Sequence, residues 1–163
     1  MNVTILLGSG SDFDVIKDGL EILKEFGVPF DLEVTSAHRS PERTLKLVKK
    51  AEEKGTEVFI AVAGKAAHLA GVIAAHTTRP VIGVPVESPA LAGMDALLST
   101  VQMPKGIPVA TVALGKAGGA NAALLAVQIL ALNDVGLRKK LAAHRKQMAE
   151  EVEASSRKVQ EKA

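Results

Sequence analysis

The chain alternates short apolar runs with longer segments of helical period, and that alternation restricts its fold more than any other feature. "VTILL" (3–7) is apolar nearly throughout and reads as a buried strand. Val15, Leu20, Leu23 and Phe26 then recur at helical spacing, with Gly27 as the stop. "FDLEV" (30–34) alternates as a strand does, and residues 41–54 carry Leu45, Leu47, Val48 and Ala51 before Gly55. "EVFIAVAG" (57–64) is a third strand, 66–76 a short Ala-rich helix, "PVIGVPV" (80–86) a fourth strand and "PVATVAL" (108–114) a fifth. Residues 120–132 form a helix apolar on most faces, which calls for burial. No element is assigned to 87–107. Strand–helix alternation of this kind implies a parallel sheet covered on both faces. The expected architecture is α/β: a three-layer, flavodoxin-like, doubly wound sheet in one domain over 1–163, with its core at 1–132. In such sheets ligands bind beyond the carboxyl ends of the strands. The glycine- and serine-bearing joints "GSGSD", "SAHRS", "AGKAAH" and "GVPVES" follow the first four strands and fall at that edge.

Composition removes several function classes. Twenty basic and 18 acidic residues give a net charge of +2, without the basic surplus that nucleic-acid binding requires. Four Phe and no Tyr or Trp supply no base-stacking platform. The absence of Cys excludes disulfides, thiolate catalysis and cysteine-ligated metal. No apolar run approaches the ~20 residues of a membrane span. The start "MNVTILLGSG" enters a strand pattern without a basic stretch and cleavage site, so the expected location is the cytoplasm. The charged tail, 133–163, carries Leu137, Leu141, His144, Met148, Val152 and Val159 as a narrow stripe. Such a stripe covers one surface, here expected on a neighbouring subunit, with a solvent-facing helix as the alternative.

Two joints carry candidate chemistry. In "GSGSD" (8–12), glycines allow close backbone approach, and the helix start with Ser9 and Ser11 suits an anion such as phosphate. Asp12 is placed to accept from a ribose hydroxyl; simple helix capping by Ser11 or Asp12 is the competing reading. The stretch lacks the G-K-[ST] of a P-loop and the third glycine of a dinucleotide fingerprint. In "SAHRSP" (36–41), Ser40 suits an N-cap and Pro41 a first helical position. That leaves His38 and Arg39 in the loop, Arg39 for a bidentate grip on phosphate and His38 for proton transfer or for a backbone hydrogen bond alone. "AGKAAH" brings Gly64, Lys65, Ala66, Ala67 and His68, whose small residues let a planar ligand lie against backbone. His68 reads as a ligand contact or, more commonly for a lone histidine on an Ala-rich helix, a surface residue. His76 fits a helix end and His144 the tail stripe. His68 and His76 stand eight apart, too far to chelate without a third element, so no metal site is expected.

Taken in order and spacing, "GSGSD", "SAHRSPER", "AGKAAHLAG", "VIGVPVES" and "LLSTVQMPKGIPVATVALGKAGGANAALLA" resemble the N5-carboxyaminoimidazole ribonucleotide mutase family of de novo purine synthesis, over about residues 3–132. The resemblance implies a homo-octamer with active sites at subunit contacts, and a reaction without metal, biotin, ATP or other cofactor. It implies a small ribonucleotide substrate, CO2 as an intermediate, and His38 as the proton shuttle. Phosphate and ribose contacts fall by motif on Ser9, Asp12 and Arg39, with Ser11 and Ser36 close by. The loop around Gly64, Ala66 and Ala67 would shape the CO2 and imidazole pocket. The chain departs from the family's A-G-G-A-A-H-L-P-G at Lys65 and Ala70. Lys65 matters because a sister branch, the aminoimidazole ribonucleotide carboxylases that use free CO2, carries a basic residue there. That branch's A-G-R-S-N lacks the A-A-H kept here at 66–68, and "VQMP" and "GVPV" also favour the mutase. A non-catalytic nucleotide-binding protein is the third reading, against which His38, Arg39 and Asp12 stand intact.

Overall fold

Val3, Ile5 and Leu7 point to one face of the first strand and Thr4 and Leu6 to the other, and all five are buried. The one polar member of the run, Thr4, shares a buried hydroxyl–hydroxyl bond of 2.7 Å with Thr56, which removes the cost of placing it there. The structure, a computed structural model describing residues 2–162, builds outward from this strand. β1 (Val3–Leu7), β2 (Phe30–Val34), β3 (Val58–Gly64), β4 (Val81–Val86) and β5 (Ala110–Thr111) form one parallel sheet in the order β2-β1-β3-β4-β5. That is the flavodoxin-like order, with its reversal between β1 and β3.

Helices α1 (Phe13–Phe26), α5 (Gly115–Leu130) and the start of α6 (Val135–Gln160) cover the face bearing Ile5, Ile60 and Ile82. Helices α2 (Pro41–Glu53), α3 (Leu69–Ala74) and α4 (Met94–Val101) lie over the face bearing Leu6, Phe59 and Ala61. Gly27, in the left-handed conformation at φ 73°, ends α1 as expected, its N–H meeting the Lys24 carbonyl at 2.9 Å. The α1–α5 pairing is the most extensive helix contact in the chain. It depends on glycine. A Cβ on Gly19 would stand 2.5 Å from the Gly119 carbonyl oxygen, and one on Gly119 would enter the Val15 carbonyl.

Four expectations need correction. Helix α5 begins at Gly115 rather than 120, because its glycines are used for close approach to α1 and to the β5–α5 connection. β5 keeps only two residues of the seven expected, as an edge strand paired to β4 alone. Helix α3 is shorter than 66–76, since residues 65–68 form a tight turn before it. Helix α4 falls in the unassigned stretch. It buries only Ala96 and Thr100 and turns Met94, Leu98 and Val101 outward, so its periodicity carries no core-facing signal. The tail stripe divides. Leu137 is buried, Leu141 joins the core, and His144 stacks edge-on to Phe26 at 5.7 Å, all within this chain. Met148, Val152 and Val159 remain exposed.

Gly119→Ala is therefore expected to destabilise the chain by about 1–3 kcal/mol through overpacking against α1. Gly10→Ala, at a position with nothing within 4 Å of an added Cβ, is the matched control. Thermal melts check it: a Gly119→Ala midpoint no lower than that of Gly10→Ala removes the close-approach account.

Candidate active site

The β1–α1 and β2–α2 loops leave the carboxyl ends of adjacent strands and diverge toward opposite faces, which opens a crevice between them. Their first residues are held by continuation of the sheet's hydrogen bonding. The Gly8 N–H donates to the Val62 carbonyl at 2.8 Å, and the Thr35 N–H to the Leu7 carbonyl at 2.8 Å. The result is a cleft of about 730 Å³ lined by all four strand-end loops. Ser9, Ser11, Asp12, Ser36, His38, Arg39, Gly64, Lys65, Ala66 and His68 all line it. Ala67 does not; at 1% exposure it packs into the core beneath the loop.

In the first loop a 3-10 turn, Gly10–Asp12, precedes α1; the Ser9 side chain caps that turn, and Asp12 stands at the N-cap position of α1. The Ser9 hydroxyl accepts from the Ser11 N–H at 3.3 Å and from the Ser11 hydroxyl at 2.9 Å. Asp12 makes no side-chain cap and is buried at the cleft edge. Burial pushes its carboxyl above the ordinary value of 3.8, against the opposing pull of the Ser9 backbone and the Ser11 hydroxyl.

The second loop is laced by hydroxyls. Ser40 occupies the N-cap position of α2, but its side chain turns back into the loop. Its hydroxyl accepts from the Ser36 N–H at 3.0 Å and lies 3.2 Å from the Ser36 carbonyl, to which it donates. Thr35 and Thr44, both buried, share a 2.9 Å hydroxyl bond below. The Ser36 hydroxyl accepts from the Arg39 backbone N–H at 3.1 Å and from Arg39 Nε at 3.4 Å. Ser36 thus orients Arg39, leaving the rest of the guanidinium fork for a ligand.

The third loop delivers His68. Two tight turns, Ala67 N–H to Lys65 carbonyl and His68 N–H to Ala66 carbonyl at 2.8 Å each, bring His68 to the N-cap of α3 instead of onto its flank. There its Nδ1 lies 2.8 Å from Nε2 of His38, the rings edge-to-face at 84°. His68 is exposed, as a surface histidine is, but this contact and its place in the cleft lining favour the ligand-contact reading. Thirty residues separate the two in sequence, and no local spacing could have paired them. One imidazole must donate and the other accept, so the bonded pair holds at most one extra proton. Glu87, Ser88 and Pro89 of the fourth loop also line the cleft and were not among the expected residues, although "GVPVES" already marked that strand end.

The chain matches the sequence model of the family described as AIR carboxylase over residues 2–151. It is 53% identical over 159 residues to the N5-carboxyaminoimidazole ribonucleotide mutase of Pyrococcus horikoshii, covering 98% of this chain and 89% of that protein. It is likewise 53% identical over 150 residues to the mutase of the same name from Escherichia coli K12, covering 92% and 89%. Among solved structures, Treponema denticola PurE superposes with a TM-score of 0.85 at 30% identity over 93% of both chains.

The buried Asp12 has a consequence for stability. A carboxyl raised on folding binds its proton more tightly in the native state, so stability is lost as pH rises through its native titration. The Asp12→Asn variant is expected to melt above wild type at pH 7, with the gap closing as pH falls toward 3.8. Melting curves across that range decide it; a gap independent of pH would mean that the Asp12 charge is not its source.

Proposed function

The chain belongs to the AIR carboxylase family, and from that premise we propose that it is an isomerase of purine biosynthesis that converts N5-carboxyaminoimidazole ribonucleotide to 4-carboxy-5-aminoimidazole ribonucleotide. The observation that carries the reading is the hydrogen-bonded His38–His68 pair in a cleft whose other walls offer Arg39, Ser9 and Asp12.

The chemistry balances with one proton. The exocyclic N–CO2 bond breaks as that nitrogen receives a proton, giving free CO2 and the aminoimidazole ring. Ring carbon 4 then attacks CO2, the new C–C bond forms, and the proton on that carbon leaves. A group that gives a proton at one atom and takes one at its neighbour returns to its starting state. His38 fills that role, with His68 as the hydrogen-bond partner that fixes its ring and its tautomer. Arg39, oriented by Ser36, takes the phosphate with the Ser9–Ser11 turn, and Asp12 accepts from ribose. Gly64 keeps the third loop low: a Cβ there would sit 3.2 Å from the Val86 carbonyl oxygen. The backbone at 64–66 can then lie close under a flat ring. No step calls for a metal or an organic cofactor.

The enzyme works in the cytoplasm as a homo-oligomer, with an octamer as the proposed assembly. Among the described residues no helix is long and apolar enough to cross a membrane. Exposed Leu91, Met94, Leu98 and Val101 beside the fourth loop, and Met148, Val152 and Val159 on α6, give a second copy apolar surface to cover.

His38→Asn is expected to bind the ribonucleotide and to lose at least ~100-fold in kcat, the usual lower bound for removing a general acid–base. Full activity in that variant would end the shuttle assignment. Wild-type protein should turn over the carbamate-bearing ribonucleotide without added bicarbonate. Rapid product from the unmodified ribonucleotide with low bicarbonate, and none from the carbamate, would instead make it the carboxylase.

A further inference from the structure

Lys65 is the cation of this cleft that the reaction above leaves without a task. Its backbone lies at φ 56°, in the left-handed region that residues with a Cβ seldom occupy. The two tight turns at 65–68 hold it there. Its side chain is exposed, lines the cleft and makes no ion pair among the described residues. A strained, unpaired cation kept where glycine would sit unstrained invites a functional account.

The two cations that line the cleft stand on different loops. Arg39 belongs to the β2–α2 loop, next to His38, and is oriented by Ser36; it lines the same cleft as the anion-suited turn at Ser9 and Ser11. Lys65 belongs to the β3–α3 loop, three positions before His68, and lines the cleft without a side-chain partner to orient it. In the functional reading the phosphate is already provided for by Arg39 and the Ser9–Ser11 turn. The histidine pair handles the proton, so the atoms that gain and lose one lie against it, and with them the carboxylate of substrate and product, for which Lys65 is the remaining cation of the cleft.

Resting on the functional reading above, we propose that the Lys65 ammonium binds the reacting carboxylate and takes no part in holding the phosphate. It is then a specificity residue. It favours ribonucleotides that carry a carboxylate, on nitrogen or on carbon, over the uncarboxylated ring, and it offers nothing to neutral CO2.

Calorimetry with two nucleotides tests this, on purified full-length wild type, Lys65→Met, Lys65→Arg and Lys65→Gly. For 4-carboxy-5-aminoimidazole ribonucleotide, Lys65→Met should bind about tenfold more weakly, the scale of one charge-assisted hydrogen bond. Its affinity for uncarboxylated 5-aminoimidazole ribonucleotide should be unchanged. Lys65→Arg should recover most of the loss. Lys65→Gly should match Lys65→Met in binding while relieving the backbone, and it serves if Lys65→Met folds poorly. In turnover the loss should appear in KM. Equal weakening of both nucleotides, or of neither, overturns the assignment. A wild type that binds neither nucleotide defeats the functional reading itself, and the Lys65 assignment falls with it.

Discussion

Two backbone hydrogen bonds at the carboxyl end of the sheet set the geometry on which the cleft depends. Leu7, the last residue of β1, accepts from the Thr35 N–H, and Val62 of β3 accepts from the Gly8 N–H. Parallel pairing thus runs one step past the strands and pins the first residue of two loops. Those loops leave toward opposite faces because the strand order reverses at β1, so the gap between them is a consequence of topology rather than of any side chain. The polar residues of the first two loops hang from these anchors. The Ser9 turn begins one residue after Gly8, and the Ser36–Ser40 lacing begins one residue after Thr35.

The anchors sit on a core able to hold them. β1 and β3 are buried on both faces, and the α1–α5 pairing closes over one of them at van der Waals limits. Close-packed interiors deform little, so residues at strand ends keep their separation. That rigidity lets two histidines thirty residues apart meet at 2.8 Å. His38 is placed by a hydroxyl-laced loop and His68 by two tight turns, and both loops rest on strands adjacent to β1. A site assembled from rigid strand ends suits a reaction in which one proton must serve two neighbouring atoms.

The sheet was legible because burial on both faces leaves a run of apolar residues that little else produces, as in "VFIAVAG" and "VIGVPV". The cleft-lining residues were legible for a related reason: in this fold the strand-end loops are the site, and four of them were visible as glycine- or serine-bearing joints. What escaped shares a different character. Helix α4 points its large apolar residues outward, against the rule by which helices are found. Ala67 looks like a loop residue but is core, because the tight turns at 65–68 fold it inward. The His38–His68 bond joins two separate loops, and no periodicity encodes a contact between them. Residue by residue His68 reads as a ligand contact or a surface histidine, and only the folded loops bring it to His38.

The proposed chemistry makes a further demand on the cleft. CO2 is small and neutral once released. No cation can hold it, and only walls can keep it beside the ring until carbon 4 attacks. Yet His38, Arg39, Lys65, Ala66 and His68 are all exposed in the isolated chain. Following the fourth loop in the chain, Leu91, Met94, Leu98 and Val101 present exposed apolar surface. The proposed homo-oligomer gives that face a cover: a second copy packed on α4 would bury apolar side chains that the single chain leaves in water. On this proposal the helix that sequence periodicity fails to reveal, because its large apolar residues face outward, has its partner outside the chain.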